Sequence, residues 1–236
     1  MSLTDPSPNF GPRRGGARPW LIVLHYTAME SCEAARDRLC DPAAEVSSHY
    51  LIGADGAVLS LVEEEQRAWH AGAGAWGGCM DVNSASIGIE LDNDGQGPFA
   101  EPLMQALERL LPGIMQRWGI PPEGVIGHSD MAYARKVDPG RFFDWQRLAR
   151  AGLSVWPEAE VAGGGPADFA TRETIARFGA ALQRFGYAVD DPPSPLLLDA
   201  FRTRFRPDAG AFDARDIVLA EDLAARFPVD PGLGAP

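Results

Sequence analysis

Two hydrophobic periods alternate along this chain, and their order predicts strands interleaved with helices. Residues 20–24 (WLIVL) form the unbroken apolar run required of a strand buried on both faces, and the run stops at His25. Residues 31–40 carry an alanine-rich, charged pattern that suits a helix, with Ser31 as N-cap and Asp41-Pro42 as its stop. Residues 48–52 and 58–62 read as a hairpin joined through Gly53-Ala54-Asp55-Gly56. Residues 86–91 alternate strictly, so Ile87, Ile89 and Leu91 share one face and Ser86, Gly88 and Glu90 the other. Glu90 therefore points away from the apolar side, near a glycine that leaves room for a close approach.

Between Pro102 and Trp118, Leu103, Leu107, Leu110, Leu111, Ile114 and Trp118 follow helical spacing, and Pro112-Gly113 is expected to kink or split that helix. Residues 125–127 read as a short strand ending on a second histidine, His128. This alternation, sustained to about residue 157, indicates an α/β layer architecture. Beyond it, VAGGGPAD at 161–168 marks a linker. Three short helices follow, at 171–185, 194–205 and 213–227, with starts at Thr171, Ser194 and Asp213 and with Gly186 ending the first. The expected division is a flexible leader at 1–18, an α/β domain at 19–157, a linker at 158–168, a helical domain at 169–228 and a tail at 229–236.

Composition narrows the function classes. With 236 residues and 45% hydrophobic content, the chain supports one substantial core and a small second one. A formal net charge of -12 argues against a nucleic-acid binder. No apolar run reaches the roughly 20 residues of a membrane span, and the start MSLTDPSPNF lacks the regions of a secretory signal. Three cysteines, Cys32, Cys40 and Cys79, make neither a disulfide framework nor a C-x-x-C metal site; free buried thiols are expected, with a Cys32–Cys40 bridge as the alternative.

The candidate chemistry lies at strand ends, where open α/β sheets place their ligands. His25 and His128 occupy two such ends, and Asp138 follows His128 by ten residues in ARKVDPG. Two histidines and a carboxylate satisfy the three-ligand count of a catalytic zinc site. Such a site also needs a base and a counter-charge for a developing oxyanion, for which Glu90 and Lys136 are available. Taken singly, each has a plainer reading: a histidine capping a core strand, an aspartate before a Pro-Gly turn, a glutamate facing solvent.

Six motifs in fixed order alter that balance: LHYT at 24–27, SSHY at 47–50, WHAG at 69–72, NSASIGIEL at 83–91, GHSD at 127–130 and RKVDPG at 135–140. Together they resemble the zinc-dependent N-acetylmuramoyl-L-alanine amidases, which share a fold with phage lysozyme-type amidases and animal peptidoglycan-recognition proteins. The resemblance spans residues 19–157 and implies a mixed central β-sheet flanked by helices. It implies zinc held by His25, His128 and Asp138, Glu90 as general base and Lys136 as oxyanion stabiliser. Lys136 is the only lysine in the chain, an independent hint. Trp69, His70, Asn83 and Arg135 are expected at the substrate, with Arg141 a further candidate and His49 structural. Where close relatives carry proline, this chain has Tyr133, which puts the loop shape in question. The C-terminal helices, with LQRFGY and LDAFRTRFRP, resemble the three-helix peptidoglycan-binding module often attached to such enzymes.

The implied activity is hydrolysis of the amide between the muramic acid lactoyl group and L-alanine, on peptidoglycan or a muropeptide, by a monomer. Two other readings stay open: a recognition protein that binds without cutting, and a zinc peptidase of different specificity. The appended module points to the cell envelope, if a signal precedes these residues, and the missing signal points to the cytoplasm.

Overall fold

The computed structural model describes residues 4–159, 171–190 and 193–229. Its strands are β1 (Phe10–Pro12), β2 (Leu21–Tyr26), β3 (Tyr50–Ile52), β4 (Val58–Ser60), β5 (Gln66–Ala68), β6 (Ser86–Leu91) and β7 (Val125–Gly127). Its helices are α1 (Cys32–Cys40), α2 (Val82–Ala85), α3 (Glu101–Trp118), α4 (His128–Met131), α5 (Trp145–Arg150), α6 (Arg172–Phe185), α7 (Pro195–Phe205) and α8 (Ala214–Arg226). Five strands form one sheet in the order β4-β3-β6-β2-β7, with β3, β6, β2 and β7 parallel and β4 antiparallel at the edge. The fold is thus α/β with a mixed central sheet.

Strand β2 runs through the middle and is covered on both sides, as its apolar run requires. Ile22 and Leu24 pack with Leu103, Leu107, Leu111 and Ile114 of α3. Leu21 and Val23 face the opposite way, into a cluster with Phe178, Leu182, Phe185 and Phe201 of the C-terminal helices.

Helix α3 corrects one expectation, because it runs unbroken through Pro112. Proline removes one backbone donor and crowds the preceding turn. Apolar residues on both sides of it, Leu107, Leu111 and Ile114, are fully buried in one cluster, and that packing holds the two halves in line.

The described part of the leader, residues 4–18, is also built into the fold rather than loose. Strand β1 pairs with β5, Ser7 Oγ donates to the Leu39 carbonyl, and Asn9 Nδ2 donates to the carbonyls of Asp41 and Val46. Arg13 adds a further anchor, its guanidinium donating to the carbonyls of Glu64, Ser84 and Ser86. These contacts are long-range in sequence and leave no local periodicity.

The C-terminal helices start where their caps predict: Thr171, Ser194 and Asp213 each accept from a backbone N–H of the first turn. They share a core with the sheet. Gly77 N donates to Gly186 O at 2.7 Å, and a Cβ at Gly186 would lie 2.5 Å from the Trp76 ring, so this junction tolerates no side chain. Most of the expected linker, 160–168, and the tail from residue 230 lie outside the described residues. Cys32, Cys40 and Cys79 are free and partly buried.

Candidate active site

The register of three parallel strands delivers the site. His25 on β2 pairs with Glu90 on β6, and Leu24 pairs with Gly127 on β7, one residue before His128. His25, Glu90 and His128 therefore emerge together at the carboxyl end of the sheet, where open α/β folds leave a crevice. Asp138 comes back over them on the loop after α4, fixed where Ser129 N donates to its carbonyl at 2.9 Å.

Three atoms converge there. His25 Nδ1 lies 2.9 Å from His128 Nδ1 and 3.1 Å from Asp138 Oδ2, and His128 Nδ1 lies 3.0 Å from the same oxygen. All three residues are buried, and among the described residues they form the one group of histidine, cysteine and acidic side chains arranged to hold a metal. Ligands held about 2.0–2.1 Å from a common ion at the tetrahedral angle are separated by about 3.3–3.4 Å, so each side of this triangle lies within about half an ångström of the spacing an ion would set.

Protonation supports a metal-binding reading. His128 Nε2 lies 2.9 Å from the Ala71 carbonyl, which can only accept, so its proton sits on Nε2 and Nδ1 presents a lone pair. Burial and the neighbouring His128 hold the His25 ring down at about 4. Two ring nitrogens and a carboxylate oxygen converging in this way form a donor set suited to a divalent cation.

Glu90 stands beside this triangle with Oε2 sealed from solvent and without a hydrogen-bond partner. Burial, reinforced by the Asp138 charge, pushes its carboxyl well above the usual range, with Lys136 opposing. The Lys136 ammonium makes no hydrogen bond or ion pair among the described residues, and Lys136 lines the same cavity of about 440 Å³. That cavity is a groove whose walls include Trp69, Met29, Val137 and Arg38.

The other expected substrate residues fall differently. Asn83 lies outside the groove lining, buried, and its side-chain oxygen accepts from the backbone of His70 and Ala71; it holds the WHAG loop. Arg135 reaches the groove, but its guanidinium donates to the carbonyls of Ala71 and Ala73 and braces the same loop. His70 lines the groove with a ring edge, its Nδ1 3.0 Å from His25 Nε2. Arg141 pairs with Asp208 and is not among the groove residues. His49 is structural as expected: Gly88 N donates to its Nδ1 and its Nε2 donates to Gln66 O.

Sequence reasoning missed Asp130 of the GHSD motif. Its carboxylate accepts from Gly127 N, from Tyr187 Oη and from Arg204 Nη1, the last at 2.6 Å. Tyr133, at the expected proline position, also reaches the C-terminal unit, its hydroxyl donating to Asp190. Arg38 was missed as well, because nothing local marks a helix arginine as a groove residue.

Comparison with known proteins fits this geometry. The profile of the family described as N-acetylmuramoyl-L-alanine amidase matches residues 15–141. The chain is 36% identical to the N-acetylmuramoyl-L-alanine amidase AmiD of Escherichia coli (strain K12), over 89% of this chain and 84% of that protein. It is 38% identical to the 1,6-anhydro-N-acetylmuramyl-L-alanine amidase AmpD of Haemophilus influenzae, over 60% of this chain and 86% of that one. Among solved structures, it resembles AmiD from E. coli in complex with anhydro-N-acetylmuramic acid-L-Ala-D-gamma-Glu-L-Lys, with a TM-score of 0.80 at 34% identity, covering 94% of this chain and 99% of that one. AmpDh3 from Pseudomonas aeruginosa in complex with anhydromuramic pentapeptide follows, with a TM-score of 0.76 at 31% identity, covering 97% and 100% of the two chains.

Proposed function

The chain belongs to the N-acetylmuramoyl-L-alanine amidases, and on that footing we propose that it is a zinc enzyme taking muropeptides, anhydro forms included, into the groove over His25, His128 and Asp138. The observation that carries the metal assignment is the triangle of two nitrogens and one oxygen, each pair within 3.1 Å. The substrate assignment rests on the two similar structures, whose ligands are anhydromuramyl peptides.

Bound zinc would supply a Lewis acid and lower the pKa of water toward neutrality. The chain supplies the rest. Glu90, poised upward by burial, takes the proton of the attacking water and delivers it to the leaving alanine nitrogen. Lys136 offers an uncommitted ammonium to the oxyanion that develops on the lactoyl carbonyl. Trp69 gives the groove an aromatic wall for the sugar or peptide. The C–N bond breaks, the hydroxyl joins the lactoyl carbon, and the amine leaves protonated. Products are a free lactoyl carboxylate on the sugar and a peptide headed by L-alanine.

Hydrolysis of a defined muropeptide in ¹⁸O-water tests this reading by mass spectrometry. Label in the sugar carboxylate, with an unlabelled peptide, is expected. Label in the peptide, or cleavage at another amide, would replace the reading with a peptidase.

A further inference from the structure

We propose that His70 is a positioning residue for the metal site: with its own tautomer set by Ser86, it accepts the hydrogen bond of His25 Nε2–H and so leaves a bare His25 Nδ1 facing Asp138 and His128. This rests on the metal reading above.

The chain of bonds fixes each proton in turn. Ser86 Oγ lies 2.5 Å from the Val82 carbonyl, an acceptor with no proton, so the single hydroxyl proton points there. Ser86 Oγ must then accept from His70 Nε2, which is 3.2 Å away. No carboxylate or other anion touches His70, so its ring is neutral with the proton on Nε2 and a lone pair on Nδ1. That lone pair faces His25 Nε2 at 3.0 Å, which must be the donor. His25 is thereby left with its free lone pair on Nδ1, the atom in the triangle.

The seat for this ring is built into the sheet. A Cβ at Gly88 would lie 2.4 Å from His70 Cγ, so only glycine lets the imidazole lie against β6. His49 holds Gly88 in place from the other side, accepting from its N–H and donating its own backbone N–H to the Gly88 carbonyl. Asn83 fixes the backbone of His70 through the 3.0 Å bond from His70 N. Ser86, Gly88 and Glu90 share one face of one strand, which places the relay, the seat and the base side by side.

Both ring nitrogens of His70 are used in this way, leaving a substrate only the carbon edge of the ring. The choice of partner also sets charge. Histidine ligands commonly donate their outer N–H to a carboxylate or a carbonyl. Here the outer acceptors are the Ala71 carbonyl and a neutral imidazole, so Asp138 contributes the only negative charge to the set and a divalent ion keeps a net positive one.

Long-range ¹H–¹⁵N spectra of the zinc-loaded, histidine-labelled full chain test the proposal directly. His70 should appear as the Nε2–H tautomer, with Nδ1 acting as an acceptor. In chelator competition, Ser86→Ala should weaken zinc binding by about 10–100-fold with an unchanged far-ultraviolet spectrum, and Ser86→Thr, which restores a hydroxyl, should recover part of the loss. Zinc bound with His70 as Nδ1–H would overturn the relay while sparing the metal site. Zinc binding unchanged in both Ser86→Ala and His70→Phe would do the same. Failure of the wild-type chain to bind zinc at all would instead remove the metal reading.

Discussion

Arg204 and Asp130 form an ion pair at 2.6 Å with both side chains almost wholly sealed from solvent. Asp130 sits two residues after His128, and Arg204 lies on a helix of the C-terminal unit. The guanidinium also lies over the Trp145 ring, 4.2 Å from its centre, and donates to the Val125 carbonyl. The C-terminal helices are thus tied into the strand and turn that carry His128, a proposed metal ligand.

Breaking that pair should be expensive. Removing one partner of a buried ion pair strands the other charge, at a cost of about 3–5 kcal/mol. Urea unfolding of Arg204→Met should show a loss of this size. Tyr187→Phe, which removes one hydrogen bond to the same carboxylate, should cost about 1–3 kcal/mol. A chain ended before α6 would expose Leu21, Val23 and Trp76, and should aggregate rather than behave as a free catalytic domain.

In the proposed mechanism Glu90 and Lys136 act on different features of the reaction, so their variants should separate. Glu90→Gln removes the base and should lower kcat by about 10²–10⁴-fold while zinc stays bound. Lys136→Ala removes an oxyanion partner and should lower kcat by about 10²–10³-fold with KM little changed. Steady-state kinetics with metal analysis of each preparation checks both.

The ring of His49 is held by burial at about 3 against an ordinary value of 6.5. Between those values the unfolded chain takes up a proton that the folded chain refuses, so stability falls as pH falls through this window. His49→Gln keeps an acceptor for Gly88 N and a donor for Gln66 O without the ionisable ring. Urea titrations of the metal-free protein should show a slope against pH shallower by up to about 1.4 kcal/mol per unit in this variant. An unchanged slope would mean that His49 is not the group responsible.

Much of this architecture could be read from the residues, and the boundary of what could be read is physical. The two histidines at strand ends and the single lysine took their meaning from the six ordered motifs and the family these resemble, whereas strand β6 announced itself through strict alternation and the three C-terminal helices through their caps. Those signals are local, set by periodicity or by spacing of a few residues. Arg13, Asp130 and Ser86 carried no such signal, because each acts on a partner that folding alone brings near. The same holds for Asn83 and Arg135: their chemistry suggested a ligand, and the fold uses them to brace residues 70–73. Pro112 misled in the other direction, since a local breaker was outweighed by burial on both sides of it.

Muropeptide cleavage is expected to depend on an ion held by His25, His128 and Asp138. The direct test strips the purified full chain with a chelator, returns zinc in known amounts, and follows release of L-alanine-headed peptide from an anhydromuramyl peptide. Cleavage should vanish on stripping and return in proportion to zinc, saturating at one ion per chain, while Asp138→Ala should not recover. Full-rate cleavage by the stripped protein, or by Asp138→Ala without zinc, would show that these three residues hold no ion needed for cleavage.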